Sequence, residues 1–191
     1  MSRFILRLFF LATIFVGLTA FRAYAQIPNV QWFFDANLTQ TAFDCDGTTN
    51  QFGYIVAVNF NAFISAVEYK MDYPPTGDLI WRIDIPVNPN QLNIGNTSVG
   101  VASAWSLPLD CFQPTVIMQV LYDWSGCNNC NPAANTNQPI VAGPNPSSGR
   151  LRFVRFPDNA EFDAIGMLSL VCPGTIPVEE TTWGQVKALY E

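Results

Sequence analysis

Cys127 and Cys130 are the residues whose type and spacing point most directly to chemistry. A C-x-x-C pair serves either as the redox centre of thioredoxin-type proteins or as one half of a zinc site. The sequence contains no histidine, no second C-x-x-C and no helix start around this pair that would stabilise a thiolate. We therefore predict a local disulfide that closes an asparagine-rich loop, and no metal or other cofactor.

Three further cysteines, Cys45, Cys111 and Cys172, bring the total to five. An odd number cannot pair completely within one chain, so we expect at most one more bridge among these three. The sequence leaves their pairing open, because a disulfide needs Cα atoms within about 7 Å of each other.

Two acidic clusters, residues 44–47 and 158–163, contain the oxygen ligands that calcium prefers, but neither matches a complete calcium-binding loop. Aspartate and asparagine often accept hydrogen bonds from their own local backbone, so we predict an Asx turn in each cluster. Arg150, Arg152 and Arg155 form a basic cluster. In so acidic a chain, we expect these arginines to pair with surface carboxylates rather than to bind phosphate.

Catalysis has little support in the sequence. Histidine, the commonest general base, is absent. Glu68 and Asp72 share one face of a predicted strand, but carboxylates on the exposed side of a strand are usually only solvated. We therefore predict that the protein is not an enzyme.

Residues 1–25 have the pattern of a secretory signal peptide. Arg3 and Arg7 precede an apolar stretch over residues 8–20, and Ala23-Tyr24-Ala25 is an A-x-A cleavage site. A transmembrane anchor is the alternative, but the uncharged run is shorter than the ~20 residues that span a bilayer. We expect a secreted protein (extracellular, cell-surface or periplasmic) with no stable membrane span after cleavage.

The charge of the chain argues against nucleic acid as a partner. The formal net charge is −6, and cleavage after residue 25 would remove three arginines and no acidic residue, which makes it −9. Such a surface repels nucleic acid and anionic lipid.

The segment 51–85 holds three consecutive strand patterns. Residues 67–73 alternate apolar and charged side chains, the period of two that a half-buried strand requires. Residues 79–85 repeat the alternation, with Leu79, Trp81, Ile83 and Ile85 on one face. Because prolines and a glycine in 74–77 favour a turn, these two strands are predicted to form an antiparallel pair. Residues 52–60 are apolar on both faces, which indicates a central strand.

The remaining chain predicts an all-β fold, a two-sheet antiparallel β-sandwich of eight to ten strands over residues 26–174. Residues 86–98 are rich in proline, glycine and asparagine and are predicted to form a loop. Gly100, Ala102 and Ala104 alternate with larger residues, and these small side chains indicate close approach by a neighbour.

Residues 175–191 are predicted to be a linker and a short helical tail. The period of two ends after Pro177, and Trp183, Val186 and Tyr190 recur at roughly helical spacing. Two turns of helix are not stable alone. Two interpretations stay open: a helix that packs on the sandwich, or a sorting or docking signal in which these three residues are recognised by another protein.

Several motifs together resemble a group of secreted bacterial proteins of uncharacterised function. They are Tyr73-Pro74-Pro75, Cys127-Asn128-Asn129-Cys130, Gly143-Pro144-Asn145-Pro146, Arg155-Phe156-Pro157-Asp158, and an ending of the form Glu-x-Thr-Trp-Gly-x-Val-Lys-Ala-Leu-Tyr over residues 180–190. The central strands are also similar to those of cohesin-like and immunoglobulin-like sandwiches, which is an analogy of fold only. The residue patterns themselves predict the exported β-sandwich, with a signal-peptide helix before it and a short helix after it. The resemblance implies no particular activity.

Two functional hypotheses follow. The first is an exported, non-catalytic interaction or structural module whose partner is a protein or glycan of the cell envelope or extracellular matrix. The second is a carbohydrate-binding module, with or without calcium, that uses aromatic rings at strand ends or beside residues 92–98.

Overall fold

The computed structural model describes residues 27–43, 50–74, 79–124 and 138–171, and within them the chain is all-β. The strands, in chain order, are β1 (Asn29–Phe33), β2 (Ala42–Phe43), β3 (Gln51–Val58), β4 (Phe63–Asp72), β5 (Leu79–Ile85), β6 (Gln91–Asn96), β7 (Gly100–Asp110), β8 (Thr115–Trp124), β9 (Gln138–Gly143), β10 (Arg152–Arg155), β11 (Glu161–Asp163), β12 (Ile165–Gly166) and β13 (Ser169–Val171). This confirms the predicted fold class. The strands outnumber the eight to ten expected because several are only two or three residues long.

The strands form two sheets. The five-stranded sheet has the order β12-β1-β3-β8-β5. The eight-stranded sheet follows the path β11-β10-β4-β9-β13-β2, and the β6–β7 hairpin joins it through pairing of β7 with β4. Pairing is antiparallel except for two short parallel pairs, β1 with β12 and β13 with β2.

The hydrophobic core lies between the two sheets. In β4, Val67, Tyr69 and Met71 are buried while the charged residues between them point outward, as the alternation predicted. The Trp32 side chain is fully buried, and its ring contacts that of Tyr122 with centroids 5.5 Å apart. β3 lies between β1 and β8, so the prediction of a central strand is confirmed.

The predicted pairing of β4 with β5 is wrong. β4 belongs to the eight-stranded sheet, whereas β5 pairs with β8 at the edge of the five-stranded sheet. The chain therefore changes sheets between these two strands instead of turning back on itself. Period-two alternation specifies which face of a strand is buried but not which strand lies beside it.

Two local predictions, the inward face of β5 at Ile83 and the loop over residues 86–98, are also wrong. The register of β5 shifts between Trp81 and Ile83, and this β-bulge leaves Ile83 exposed although it was predicted to face inward. The predicted loop over residues 86–98 contains β6, whose alternation is inverted because Gln91 and Asn93 are less exposed than Leu92 and Ile94. A strand with polar residues on its inner side is not recognised by a search for buried apolar residues.

Candidate functional site

Five strands of the eight-stranded sheet present a groove on its outer surface. Their registers align two rows of paired residues across β6, β7, β4, β10 and β11. Paired residues in a sheet project from the same face. The first row is Leu92, Ala104, Ala66, Val154 and Glu161, and the second row is Ile94, Ala102, Glu68, Arg152 and Asp163.

The residues near the centre of both rows have small side chains. Ala66, Ala102 and Ala104 form the floor of a cavity of about 180 Å³, with Leu92 and Ile94 on one side and Val154 on the other. The sequence predicted close approach by a neighbour at Gly100, Ala102 and Ala104. This is confirmed at Gly100, where an added Cβ would lie 2.8 Å from Pro146. No described strand lies over Ala102 and Ala104, so the space above these alanines is open. We call this feature the outer groove.

One wall of the outer groove is aliphatic and exposed. Leu92 and Ile94 retain 65% and 69% of their accessible surface. Their strand is held from the inner side, where the Gln91 side chain donates from Nε2 to the Ile117 carbonyl at 3.0 Å and to Asn93 Oδ1 at 3.0 Å. The inner polar residues thus anchor β6 to β8 and turn the two aliphatic side chains outward.

The opposite wall is ionic. Arg152 forms an ion pair with Glu68 and a second one from Nη1 to Glu161 Oε2 at 2.6 Å. Arg150 continues the network to Asp163 at 2.7 Å and to Glu161 at 3.3 Å. The hydrogen bond to Glu68 is the main reason that the pKa of Arg152 is raised. This wall has charges of both signs that largely neutralise one another.

The third arginine of the basic cluster is also paired. Arg155 donates to Asp158, from Nε at 3.1 Å, and its guanidinium lies 4.6 Å from the centre of the Phe162 ring. Asp158 Oδ1 in turn accepts a hydrogen bond from the Ala160 backbone at 3.3 Å. The predictions of carboxylate pairing and of an Asx turn at residues 158–163 are confirmed. The described part of the chain contains no group of three or more His, Cys, Asp or Glu side chains that could hold a metal.

The two carboxylates considered for acid–base chemistry are both bound to cations. Glu68 pairs with Arg152, and Asp72 pairs with Lys70 at 2.8 Å. Glu68 shares Arg152 with Glu161, so each of the two candidate carboxylates is engaged in an ion pair.

A polar network at one end of the sandwich fixes the β6–β7 turn. Thr97 is fully buried and lies between the sheets, where Tyr73 Oη is 2.8 Å from its Oγ1. Trp81 Nε1 donates to Asp84 Oδ1 at 2.8 Å. Burial raises the pKa of the Tyr73 phenol, which stays neutral. The sequence analysis missed this network because Asp84 was assigned to an exposed face and Thr97 to a loop.

Exposed phenylalanines form a second surface feature. Phe63 and Phe112 meet edge to face with ring centroids 5.4 Å apart, and the Phe156 amide donates to the Phe63 carbonyl at 2.9 Å. All three side chains are exposed. Trp32 and Trp105 are buried and take no part in this surface.

Several predicted features lie outside the described residues. They are the signal peptide, the acidic cluster at residues 44–47, Cys45, Cys127, Cys130, Cys172, and the tail residues Trp183, Val186 and Tyr190. Cys111 is described and is a buried free thiol whose pKa is raised by burial to about 12. Among the residues with described structure, no helix is long and apolar enough to cross a membrane.

No family model matches the sequence, and no curated protein matches it. Solved structures of cohesin modules share its fold. A cohesin module of a family 33 glycoside hydrolase from Clostridium perfringens superposes with a TM-score of 0.52 at 8% identity, covering 76% of this chain and 95% of that one. A type I cohesin from Pseudobacteroides cellulosolvens has a TM-score of 0.48 at 13% identity, and the superposition covers 81% of this chain and 97% of that one. A type I cohesin from Clostridium thermocellum was solved in complex with a dockerin. It has a TM-score of 0.49 at 9% identity, and the superposition covers 76% of this chain and 92% of that one. At 8% identity the likeness to the Clostridium perfringens module is one of fold, and the chain is a cohesin-like β-sandwich.

Proposed function

We propose that this chain is a non-catalytic interaction module that binds a protein partner through the outer groove. The observation that carries the proposal is the alignment of exposed Leu92 and Ile94, an alanine floor and an ionic wall in two adjacent rows of one sheet. Exposed aliphatic side chains beside an open apolar floor are typical of surfaces that another macromolecule covers.

The chemistry of the groove favours a protein over other partners. Covering Leu92 and Ile94 would stabilise a complex by roughly 1 to 2 kcal/mol each. The ionic wall supplies charges of both signs for orientation at the rim, where they contribute more to specificity than to affinity. A phosphate-bearing partner would need unpaired cations, whereas Arg150, Arg152 and Arg155 are all bound to carboxylates.

The cellular setting belongs to the same proposal. Residues 1–25 would direct export and be removed, residues 26–174 would form the binding module, and residues 175–191 would be a linker and tail. Recognition of the tail through Trp183, Val186 and Tyr190 would sort or dock the module at the cell envelope or in the extracellular matrix. Deletion of residues 178–191 tests this: lost location with unchanged melting temperature supports a signal, and lowered melting temperature with unchanged location contradicts it.

The groove itself is tested by filling its floor. The protein and an Ala104→Trp variant are used to capture envelope proteins, with Phe52→Ala on the other sheet as the control. Ala104 is exposed, so the variant should fold and should lose the captured partner, while Phe52→Ala should keep it. Equal capture by all three proteins, or no capture by the unaltered one, would contradict the proposal.

A carbohydrate-binding function is the second candidate, and the exposed rings of Phe63, Phe112 and Phe156 favour it. Aromatic faces at the end of a sandwich can stack on sugar rings. Calcium assistance is not supported by any donor cluster in the described ranges. Binding to a glycan array that is lost in Phe63→Ala/Phe112→Ala and kept in Ala104→Trp would select this candidate, and absence of binding to every glycan would remove it.

A further inference from the structure

Among the described strands, β6 is an edge of the eight-stranded sheet that carries no protection. Within the described residues it pairs only with β7, over six residues without a register shift. Its sequence, Gln91 to Asn96, has no charged residue and no proline. Natural sheet edges are usually guarded by charge, proline, a bulge or short length, since their free backbone groups otherwise pair with another strand.

Each of the other described edge strands has charged residues, a β-bulge or a short length. β5 carries Arg82 and Asp84 and has a β-bulge between Trp81 and Ile83. β11 has three residues, two of them acidic, while β12 and β2 have two residues each. β6 therefore lacks a protection that the other described edges have.

The hydrogen-bond pattern specifies which backbone groups of β6 are free. Ser106 donates from its amide to the Asn90 carbonyl at 3.2 Å, in line with the register that pairs Leu92 with Ala104 and Ile94 with Ala102. Bonded pairs alternate in an antiparallel ladder, so Leu92 and Ile94 direct their backbone groups to β7. The N–H and C=O of Asn93 therefore point away from β7, to the open edge.

We propose that two copies of this chain associate by antiparallel pairing of β6 with β6, with Asn93 opposite Asn93. In this register each Asn93 amide donates to the Asn93 carbonyl of the second copy. Leu92 then lies opposite Ile94 of the second copy, in a non-bonded pair whose side chains approach closely. A strand of another sequence would need apolar residues at the two positions opposite Leu92 and Ile94. A second copy supplies them by symmetry.

The pairing would join two outer faces into one continuous sheet. The Leu92 and Ile94 side chains of both copies would form a shared ridge between two alanine floors. The proposal does not depend on what binds in the outer groove, because it rests on the free edge alone.

The register is tested by placing charges at positions 92 and 94. Leu92→Lys/Ile94→Lys puts like charges opposite each other in the dimer, whereas Leu92→Lys/Ile94→Glu puts opposite charges there. Both side chains are exposed in the monomer, so the melting temperature should change little. Ile165→Lys, at the far edge of the other sheet, is the control.

Sedimentation equilibrium measures the outcome. The unaltered protein and Ile165→Lys should reach twice the monomer mass as concentration rises, and Leu92→Lys/Ile94→Lys should remain monomeric. Leu92→Lys/Ile94→Glu should dimerise at low salt and dissociate at 1 M salt. A monomeric unaltered protein, or equal behaviour of the two double variants, would overturn the proposal. The Ala104→Trp variant should still dimerise, which separates this result from that of the groove experiment.

Discussion

Asp84 accepts two hydrogen bonds from Thr97, one from its amide at 2.6 Å and one from its hydroxyl at 2.6 Å. Asp84 lies on β5 of the five-stranded sheet, and Thr97 lies in the turn between β6 and β7 of the other sheet. This contact joins the two sheets at the end of the outer groove and holds the hairpin that carries Leu92 and Ile94.

Thr97→Val should lower the free energy of unfolding by about 1 to 3 kcal/mol, because it removes a buried hydroxyl that donates to the Asp84 carboxylate and accepts from the Tyr73 hydroxyl. Urea denaturation measures this change. Thr39→Val is the control: its hydroxyl bonds Asp35 at an exposed site, so the change should be below about 0.5 kcal/mol. Equal effects of the two substitutions would show that the network between the sheets is not stabilising.

Gly53→Ala should destabilise the protein by about 1 to 3 kcal/mol through overpacking. A Cβ at this position would lie 1.8 Å from the Trp32 ring. The ring is enclosed by core residues and cannot move aside freely. Thermal unfolding followed by tryptophan fluorescence measures both the stability and the environment of the ring. An unchanged melting temperature and emission maximum would contradict the close approach.

Arg152→Met should weaken the fold more than Arg155→Met. Arg152 joins Glu68 on β4 to Glu161 on β11 and is less exposed, whereas Arg155 mainly pairs with Asp158 three residues away. Loss of Arg152 leaves two carboxylates without their shared cation. The two melting temperatures provide the comparison, and a larger loss for Arg155→Met would be inconsistent with the ionic wall as a structural element.

Asp123 should contribute to the dependence of stability on pH. Its pKa is lowered by a hydrogen bond from the Asn50 amide at 2.6 Å and by Arg82, whose Nε donates at 2.7 Å. The carboxyl is more acidic in the folded than in the unfolded chain, so its stabilisation is complete above the unfolded pKa of about 3.9 and is lost as pH falls through the lower folded value.

Denaturation of the protein and of Asp123→Asn at pH 7 and pH 3 tests whether the stabilisation by Asp123 decreases on acidification. The unaltered protein should be the more stable at pH 7, and the difference should shrink at pH 3. A difference that grows with acidification would contradict the lowered pKa.

Cys111 should resist alkylation in the folded protein. Its thiol is buried, and burial raises its pKa to about 12, so little thiolate is present or accessible at pH 8. Mass spectrometry of the peptide after iodoacetamide treatment should show modification in urea and almost none without it. Rapid labelling of the folded protein would contradict this burial.

The sequence alone determined the all-β class, the buried face of β4 and the pairing of the three arginines with carboxylates. These predictions depend on properties of short segments. Alternate residues of a strand face opposite sides of the sheet. In a chain with more acidic than basic residues, each arginine has carboxylates nearby with which it can pair. Only the tertiary structure decided that β5 pairs with β8 and that β6 is a strand with Leu92 and Ile94 turned outward. It alone aligned residues from five strands into the outer groove. Strand partners and registers result from contacts distant in sequence, and the β-bulge between Trp81 and Ile83 left Ile83 exposed, which the alternation of the sequence alone could not show.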